Sequence, residues 1–427
     1  MLLYQRCNFK EMMLKKIFLS VVCIVSFIPS VFATESFYRA IKNNTLKENT
    51  TYSVSRKVNL KGQEILIPQG CTLDFRKKGR IINGTVNFAS TTIQGDPKFV
   101  NCCYEGNIFI SEIDDRCFDS EDDTRTLKFL LSNAITNGCK CDIYRDYRIS
   151  MKDATGLGGV VSVHSLDSGA EIDFRGHTIY NTFVFHSDAI KPVIVLTNVK
   201  GVTIRNCNFR DPDEHNTHRF KESAGSTFIQ CYGDCESINL LNCTQENGDC
   251  ILRSGVWVHN ENRPYNTPSR GLCNSTIKVS SNNVGYGLAL YCADSLDVDI
   301  TVMNPHRGFY CAGVSNSKIR YRGYNPQETK THILIKDAVY IKNVSGKEVL
   351  DMKGCDHLDI NAVVDEILPG ERVFGFQSYG YGLKEGADFR FRSTKCHHHD
   401  ISVTATIVRS PEKGFFHICD NIFIIIT

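Results

Sequence analysis

The chain has 427 residues, 42% of them hydrophobic, so it can bury a sizeable core, and an elongated repeat protein of this length need not split into globular domains. Its 49 basic and 47 acidic side chains nearly cancel, which gives no electrostatic reason to expect nucleic acid as a partner. The 19 cysteines include no CxxC pair of zinc-site spacing.

At the N-terminus, Lys15 and Lys16 precede an apolar run from Ile17 to Ile28, and the small residues Val31 and Ala33 stand before Thr34. That layout predicts a secretory signal peptide over residues 1–33, since the apolar run is short for a membrane span. Met12 or Met13 is an alternative start. Cys23 follows Val22, where a lipoprotein signal would want a small residue. Removing the leader takes away four basic side chains and one acidic one, which brings the net charge from +2 to about −1. Cys7 and Cys23 leave with it, so an odd number of cysteines remains and at least one thiol stays unpaired. Cys102, Cys103, Cys139, Cys141, Cys231 and Cys235 could pair locally with other cysteines. The mature chain is expected to be secreted, periplasmic or on the cell surface, with no membrane span.

Residues 34–57 read as a lead-in, and 58–121 as short strands punctuated by Pro-Gln-Gly and Asn-Gly turns. The wording CTLDFRKKGRI returns as GAEIDFRGHTI from Gly169 to Ile179. Between them Leu127, Leu130, Leu131, Ala134 and Ile135 share one face of a helix over 122–137, begun by Asp122 or Asp123 and stopped by Asn137-Gly138.

Beyond about residue 190 one phrase recurs: an apolar run, a polar turn, and a second apolar run eight residues later, as in LYCADSLDVDI, FYCAGVSNSKI and LDMKGCDHLDI. The first two superpose at an offset of 19 residues, Tyr291 on Tyr310 and Ile300 on Ile319. A unit this short cannot close a core alone and must stack on its neighbours. The expected fold class is therefore all-β, a right-handed parallel β-helix (solenoid) over 122–427, with the helix as a short N-terminal amphipathic cap. The closing segment DNIFIIIT ends on an apolar strand, an edge open to self-association.

The stretch DDTRTLKFLLSNAITNG followed by YRDYRIS resembles the opening of the pectate-lyase-like superfamily. That resemblance implies the same β-helix over about residues 58–427, and an extracellular polysaccharide as partner. Members mostly bind, cleave or epimerise polysaccharides, and others are non-catalytic surface proteins.

Aligning the repeats places Asp249, Tyr286, His306 and Arg307 in one column along an edge, the candidate catalytic set: a carboxylate, a phenol, an imidazole and a guanidinium. Arg307 suits an acidic sugar. The plainer reading makes them turn residues, Tyr286 packing its ring and Arg307 facing solvent. NGDCILRSG (247–255) and VGYGLAL (284–290) resemble motifs of polygalacturonase-like hydrolases, but Cys250 stands where that family has a second carboxylate and Tyr286 where it has a histidine. Inverting hydrolysis needs two carboxyl groups, so lyase chemistry fits these residues better.

Candidate substrate-binding residues are Trp257, Arg263 and Tyr265, aromatic and basic groups close after Asp249, and His215 and His218, in a long polar loop. The run Cys396 to Asp400 offers metal-ligand types whose strand alternation keeps them from one ion. No cofactor or metal is expected; a Ca2+ site could form only from carboxylates on different coils. The functional expectation is a secreted protein that engages extracellular polysaccharide, by lyase or hydrolase chemistry, with a non-catalytic adhesive protein as the alternative.

Overall fold

The computed structural model describes residues 34–155, 158–185, 191–215, 225–255, 271–324, 331–336, 356–365, 372–378, 387–396, 399–407 and 414–419. These residues are overwhelmingly β, with two α-helices, Phe37–Asn43 and Asp123–Asn137. The strands fall into a seven-stranded and a twenty-one-stranded sheet.

The expectation of one right-handed solenoid capped at its N-terminal end is corrected by this topology. The larger sheet closes on itself as a parallel, barrel-like wall, and the smaller stays open as a half-barrel sheet. The seven-stranded sheet lies wholly before the Asp123–Asn137 helix, so that helix stands between the sheets rather than over an open first end. The far end turns back on itself: Arg372–Ser378 runs antiparallel to Gly414–Cys419, and Ala387–Cys396 to His399–Ile407. The physical reason lies in the connections. A repeated strand–turn–strand phrase sets which residues face inward, whereas the chain length between paired strands sets how far the sheet can continue unbroken.

Register makes the point residue by residue. Tyr291 pairs with Ala312 and Val298 with Ile319, two residues away from the alignment suggested by the repeated Tyr-Cys-Ala. A slip of two keeps every side chain on its own face, so hydrophobic pattern alone does not detect it.

Stacking of like on like builds the interior of the larger sheet. Ile172, Ile204, Leu240, Ile277, Val298, Ile319 and Ile360 follow one another as ladder partners, each at most 1% exposed. A second file runs Ile194, Ile229, Leu252, Leu288, Phe309, Ile333. Branched aliphatic side chains on parallel strands interdigitate well, and bends between the strands carry Asn in the left-handed region, including Asn206, Asn274 and Asn304.

The smaller sheet packs over aromatic rings instead. Phe99 lies with ring centroids 5.4 Å from Phe75, 5.9 Å from Phe88, 5.7 Å from Tyr104 and 5.3 Å from Phe118. Phe129 of the helix joins this group at 5.7 Å from Phe88. The helix is fastened at both ends. Asp122 accepts the Arg125 N–H at 3.0 Å, and Gly138 takes the left-handed conformation (φ +62°) that ends it. Asn133 then receives the Ile108 N–H at 2.8 Å and donates to the Gly106 carbonyl, while Ser168 of the larger sheet donates to the Ile135 carbonyl. The helix thus joins the two sheets, and their apolar residues form one continuous core.

Candidate functional site

The column starts at a bend that only glycine fits. Gly248 has φ +88°, and a Cβ there would stand 2.8 Å from both the Asp211 carboxylate and the Ser226 carbonyl. The bend delivers Asp249 to the start of strand Cys250–Ser254, and the Tyr286 N–H donates to the Asp249 carbonyl at 2.7 Å. Tyr286 and Arg307 are ladder partners, and the His306 N–H donates to the Val284 carbonyl at 2.9 Å. All four residues therefore sit on one edge of neighbouring strands.

Their side chains do different things. Asp249 is wholly buried; its Oδ2 accepts from Arg253 Nη2 at 2.5 Å and from the Thr227 hydroxyl at 3.2 Å. Asp249 Oδ1 and Arg253 Nε are buried with no hydrogen-bond partner among the described residues. Arg253 also lies 5.5 Å from the Tyr286 ring centroid, and Arg307 lies 5.6 Å from the same centroid while its Nη1 donates to the Tyr286 hydroxyl at 2.7 Å. The Tyr286 ring is thus held by two guanidiniums, a stabilising use of its π-cloud. Tyr286, His306 and Arg307 are half-buried, the part of the column that solvent reaches.

Beneath lies an apolar patch apart from the main core: Cys250, Ala289, Tyr291, Tyr310 and Ala312, with the Tyr286 ring against it. Burial disfavours the Arg253 charge, but the adjoining Asp249 carboxylate outweighs it and holds the guanidinium protonated well above its usual range. Burial pushes the Cys250 thiol up to about 12, which leaves it a weak nucleophile at neutral pH.

His215 belongs to a second buried cluster. Its Nδ1 meets Asp211 Oδ2 at 2.7 Å, Asp211 Oδ1 accepts from the Ser226 hydroxyl at 2.7 Å, and Asn181 donates to the same oxygen at 2.7 Å. Aspartate, histidine and serine meet here without forming a nucleophilic triad, because Ser226 bonds to the carboxylate rather than to the imidazole. His215 Nε2 faces the backbone of Phe185, within 3.1 Å of both its N–H and its carbonyl oxygen. It can accept from the one when neutral and donate to the other when charged.

Burial lowers the affinity of His215 for a proton, but the Asp211 contact more than compensates, with Glu214 adding to it, and the net shift is above the ordinary 6.5. A raised folded-state value means that His215 contributes stability that is complete below pH 6.5 and is lost as pH rises through the folded value. Urea midpoints measured across that window should therefore fall with rising pH more steeply for the native chain than for His215→Gln. Parallel curves would show that the Asp211 contact does not hold the proton.

Of the other expected binding residues, Trp257, Arg263, Tyr265 and His218 lie outside the described residues, as do His397 and His398. Sequence reasoning missed Arg253, whose signal is its place four residues after Asp249 on one strand. It also missed Met303 and Tyr324, ladder partners that are 44% and 38% exposed, Met303 standing just before the turn into His306 and Arg307. Among the described residues no group of three His, Cys, Asp or Glu side chains could hold a metal ion. A cavity of about 830 Å3 lies away from the column, at the junction of the sheets, lined by Gln94, Asp96, Phe109, Glu112, Asp114 and Cys117 among others.

No family model matches the chain, and no curated protein matches it. The resemblance to pectate-lyase-like proteins thus has no support from a family model. Among solved structures, the chain is similar to PfbA, a surface adhesin of Streptococcus pneumoniae, with 9% identity and a TM-score of 0.31 over 86% of this chain and 90% of that one. A likeness of that extent decides neither fold nor function.

Proposed function

We propose that the protein is a non-catalytic binding protein of the cell exterior that holds an acidic polysaccharide along the Tyr286–His306–Arg307 edge. One observation carries this reading: the half-exposed Tyr286 and Arg307 are joined at 2.7 Å, while Asp249, the carboxylate of the column, is buried and neutralised by Arg253. A guanidinium and a phenol at an accessible edge can take a carboxylate and a sugar hydroxyl. Exposed Tyr324 and Met303 nearby supply an apolar surface on which a sugar ring can rest. A hydrolase would need a second carboxyl group across a water from the first. Export rests on the signal-peptide pattern of residues 1–33; no helix among the described residues is long and apolar enough to cross a membrane.

The second reading, a lyase, is favoured by the same Tyr286–Arg307 contact, since it sets a phenol oxygen that could take the proton α to a uronate carboxylate beside a guanidinium that could stabilise the charge left on the sugar. Affinity electrophoresis in polygalacturonate and in a neutral glucan, alongside ultraviolet absorbance of unsaturated uronate ends, separates the two. The expected result is retardation in the acidic polymer only, weakened by salt, with about tenfold weaker binding (~1.4 kcal/mol) in Arg307→Ala and no growth in absorbance. Absorbance growth would establish the lyase instead, and equal retardation in the neutral glucan would remove the acidic specificity.

A further inference from the structure

Successive parallel pairings carry one outward-facing row across the larger sheet. Arg148 pairs with Tyr180, Tyr180 with Arg210, Arg210 with Glu246, Glu246 with Asn282, Asn282 with Met303, and Met303 with Tyr324. On each strand the residue just before the row is buried, so strand alternation turns the row itself to the outside. Two residues earlier on six of these strands a second row runs beside it: Thr178, Asn208, Thr244, Ser280, Thr301 and Arg322, each half-buried or exposed. As far as Thr301 the second row holds short polar side chains, whereas the first holds the longer Tyr180, Arg210, Met303 and Tyr324. Together they make a floor of hydroxyls and amides along a taller wall. Paired strands stand about 4.8 Å apart, so the row extends roughly 30 Å. Arg210 is paired with Glu246 at 3.3 Å and with Asp213 at 3.8 Å, while among the described residues the Arg148 and Arg322 guanidiniums have no carboxylate partner. The two rows thus carry the guanidiniums of Arg148, Arg210 and Arg322 against the single carboxylate of Glu246. Asn282 and Met303 stand four residues before Tyr286 and Arg307, so at the bend the rows run into the edge assigned above to the sugar.

We propose that the two rows are a track on which one extended acidic polysaccharide lies across the strands, from the Tyr286–Arg307 edge as far as Arg148. The track rests on the reading of that edge as an acidic-sugar site and extends it to strands that the edge does not touch. A chain crossing parallel strands meets the same pair of ladder positions at every step of about 4.8 Å. An extended sugar chain advances by a similar length per unit, so each strand presents one unit with a short polar side chain and a longer one beside it. Carboxylates of the polymer meet Arg322, Arg210 and Arg148, and ring faces rest on Tyr180, Met303 and Tyr324. The ion pair of Arg210 with Glu246 is exposed, so exchanging it for a polymer carboxylate costs little. Each further contact is made by a chain already held at the edge, so affinity grows with the number of units engaged.

Calorimetric titration of the full chain with a trimer and a decamer of galacturonate tests the track. The decamer should bind about a hundredfold more tightly than the trimer. Arg148→Ala should weaken the decamer by about tenfold and leave the trimer unchanged, because Arg148 stands roughly 30 Å along the row from Tyr324. A decamer no tighter than the trimer, or one indifferent to Arg148→Ala, would overturn the track and leave the edge standing. If neither oligomer binds, or neither responds to Arg307→Ala, the edge itself falls and the track with it. Phenylglyoxal labelling of arginines, read by peptide mass, needs no variant, so a folding defect in Arg148→Ala leaves the test intact. The bound decamer should shield both Arg148 and Arg322, and the trimer Arg322 alone; equal labelling of Arg148 with and without the decamer would overturn the track.

Discussion

Arg253→Ala should cost about 3–5 kcal/mol of unfolding free energy, because it strands a buried carboxylate without its counter-charge. Asp249 has no solvent exposure, and with the guanidinium gone its one remaining side-chain donor among the described residues would be Thr227 at 3.2 Å. Coulomb attraction across 2.5 Å in a poorly hydrated setting offsets the cost of removing both charges from water, and it does so only while both are present. Replacing both residues together, Asp249→Leu with Arg253→Met, should accordingly recover most of the loss. Chemical denaturation of the two variants checks this. A double variant no more stable than Arg253→Ala would mean that packing of the guanidinium on Tyr286, rather than charge, holds the column. The loss should also reach the proposed edge, since Tyr286 is held between Arg253 and Arg307.

Phe99→Ala should be comparably severe, at about 3–5 kcal/mol. Phe99 has no exposed surface and contacts four other rings, so its removal leaves a void that no single neighbour can fill. Phe109, on the same strand but 50% exposed, provides the control, and its replacement by alanine should stay within about 0.5 kcal/mol. A loss near 1 kcal/mol or less at Phe99, read from urea midpoints and slopes, would show that the aromatic interior beneath the smaller sheet is not close-packed.

The two variants probe the two kinds of interior in this molecule. Around Phe99, surface is removed from water by rings that tolerate one another at several angles, and the contribution grows with the area buried. Around Asp249, burial is unfavourable by itself and is tolerated because the partners are fixed by the bend at Gly248 and by the strand that carries Arg253. Charge pairs elsewhere on the sheets, such as Arg320 with Asp297 and Arg205 with Glu171, are exposed and screened, and should matter little.

How much was legible beforehand follows from the range of each interaction. Strand content, the inward-facing aliphatic residues and the helix that starts at Asp122 or Asp123 and stops at Asn137-Gly138 were determined by the sequence itself, because alternation, capping and left-handed turns involve residues a few positions apart, while the structure chose Asp122 as the cap. The edge shared by Asp249, Tyr286, His306 and Arg307 could be written down from the repeats, yet what those side chains do there could not. Burial of Asp249 against Arg253, the two guanidiniums on Tyr286 and the capture of His215 by Asp211 and Phe185 depend on side chains meeting in three dimensions. Only the tertiary structure decided the true ladder register, the division into a closed and an open sheet in place of one solenoid, and the position of the helix between them. A hydrophobic pattern of period two is blind to shifts of two residues and to the length of the connections, and those long-range quantities set how sheets close.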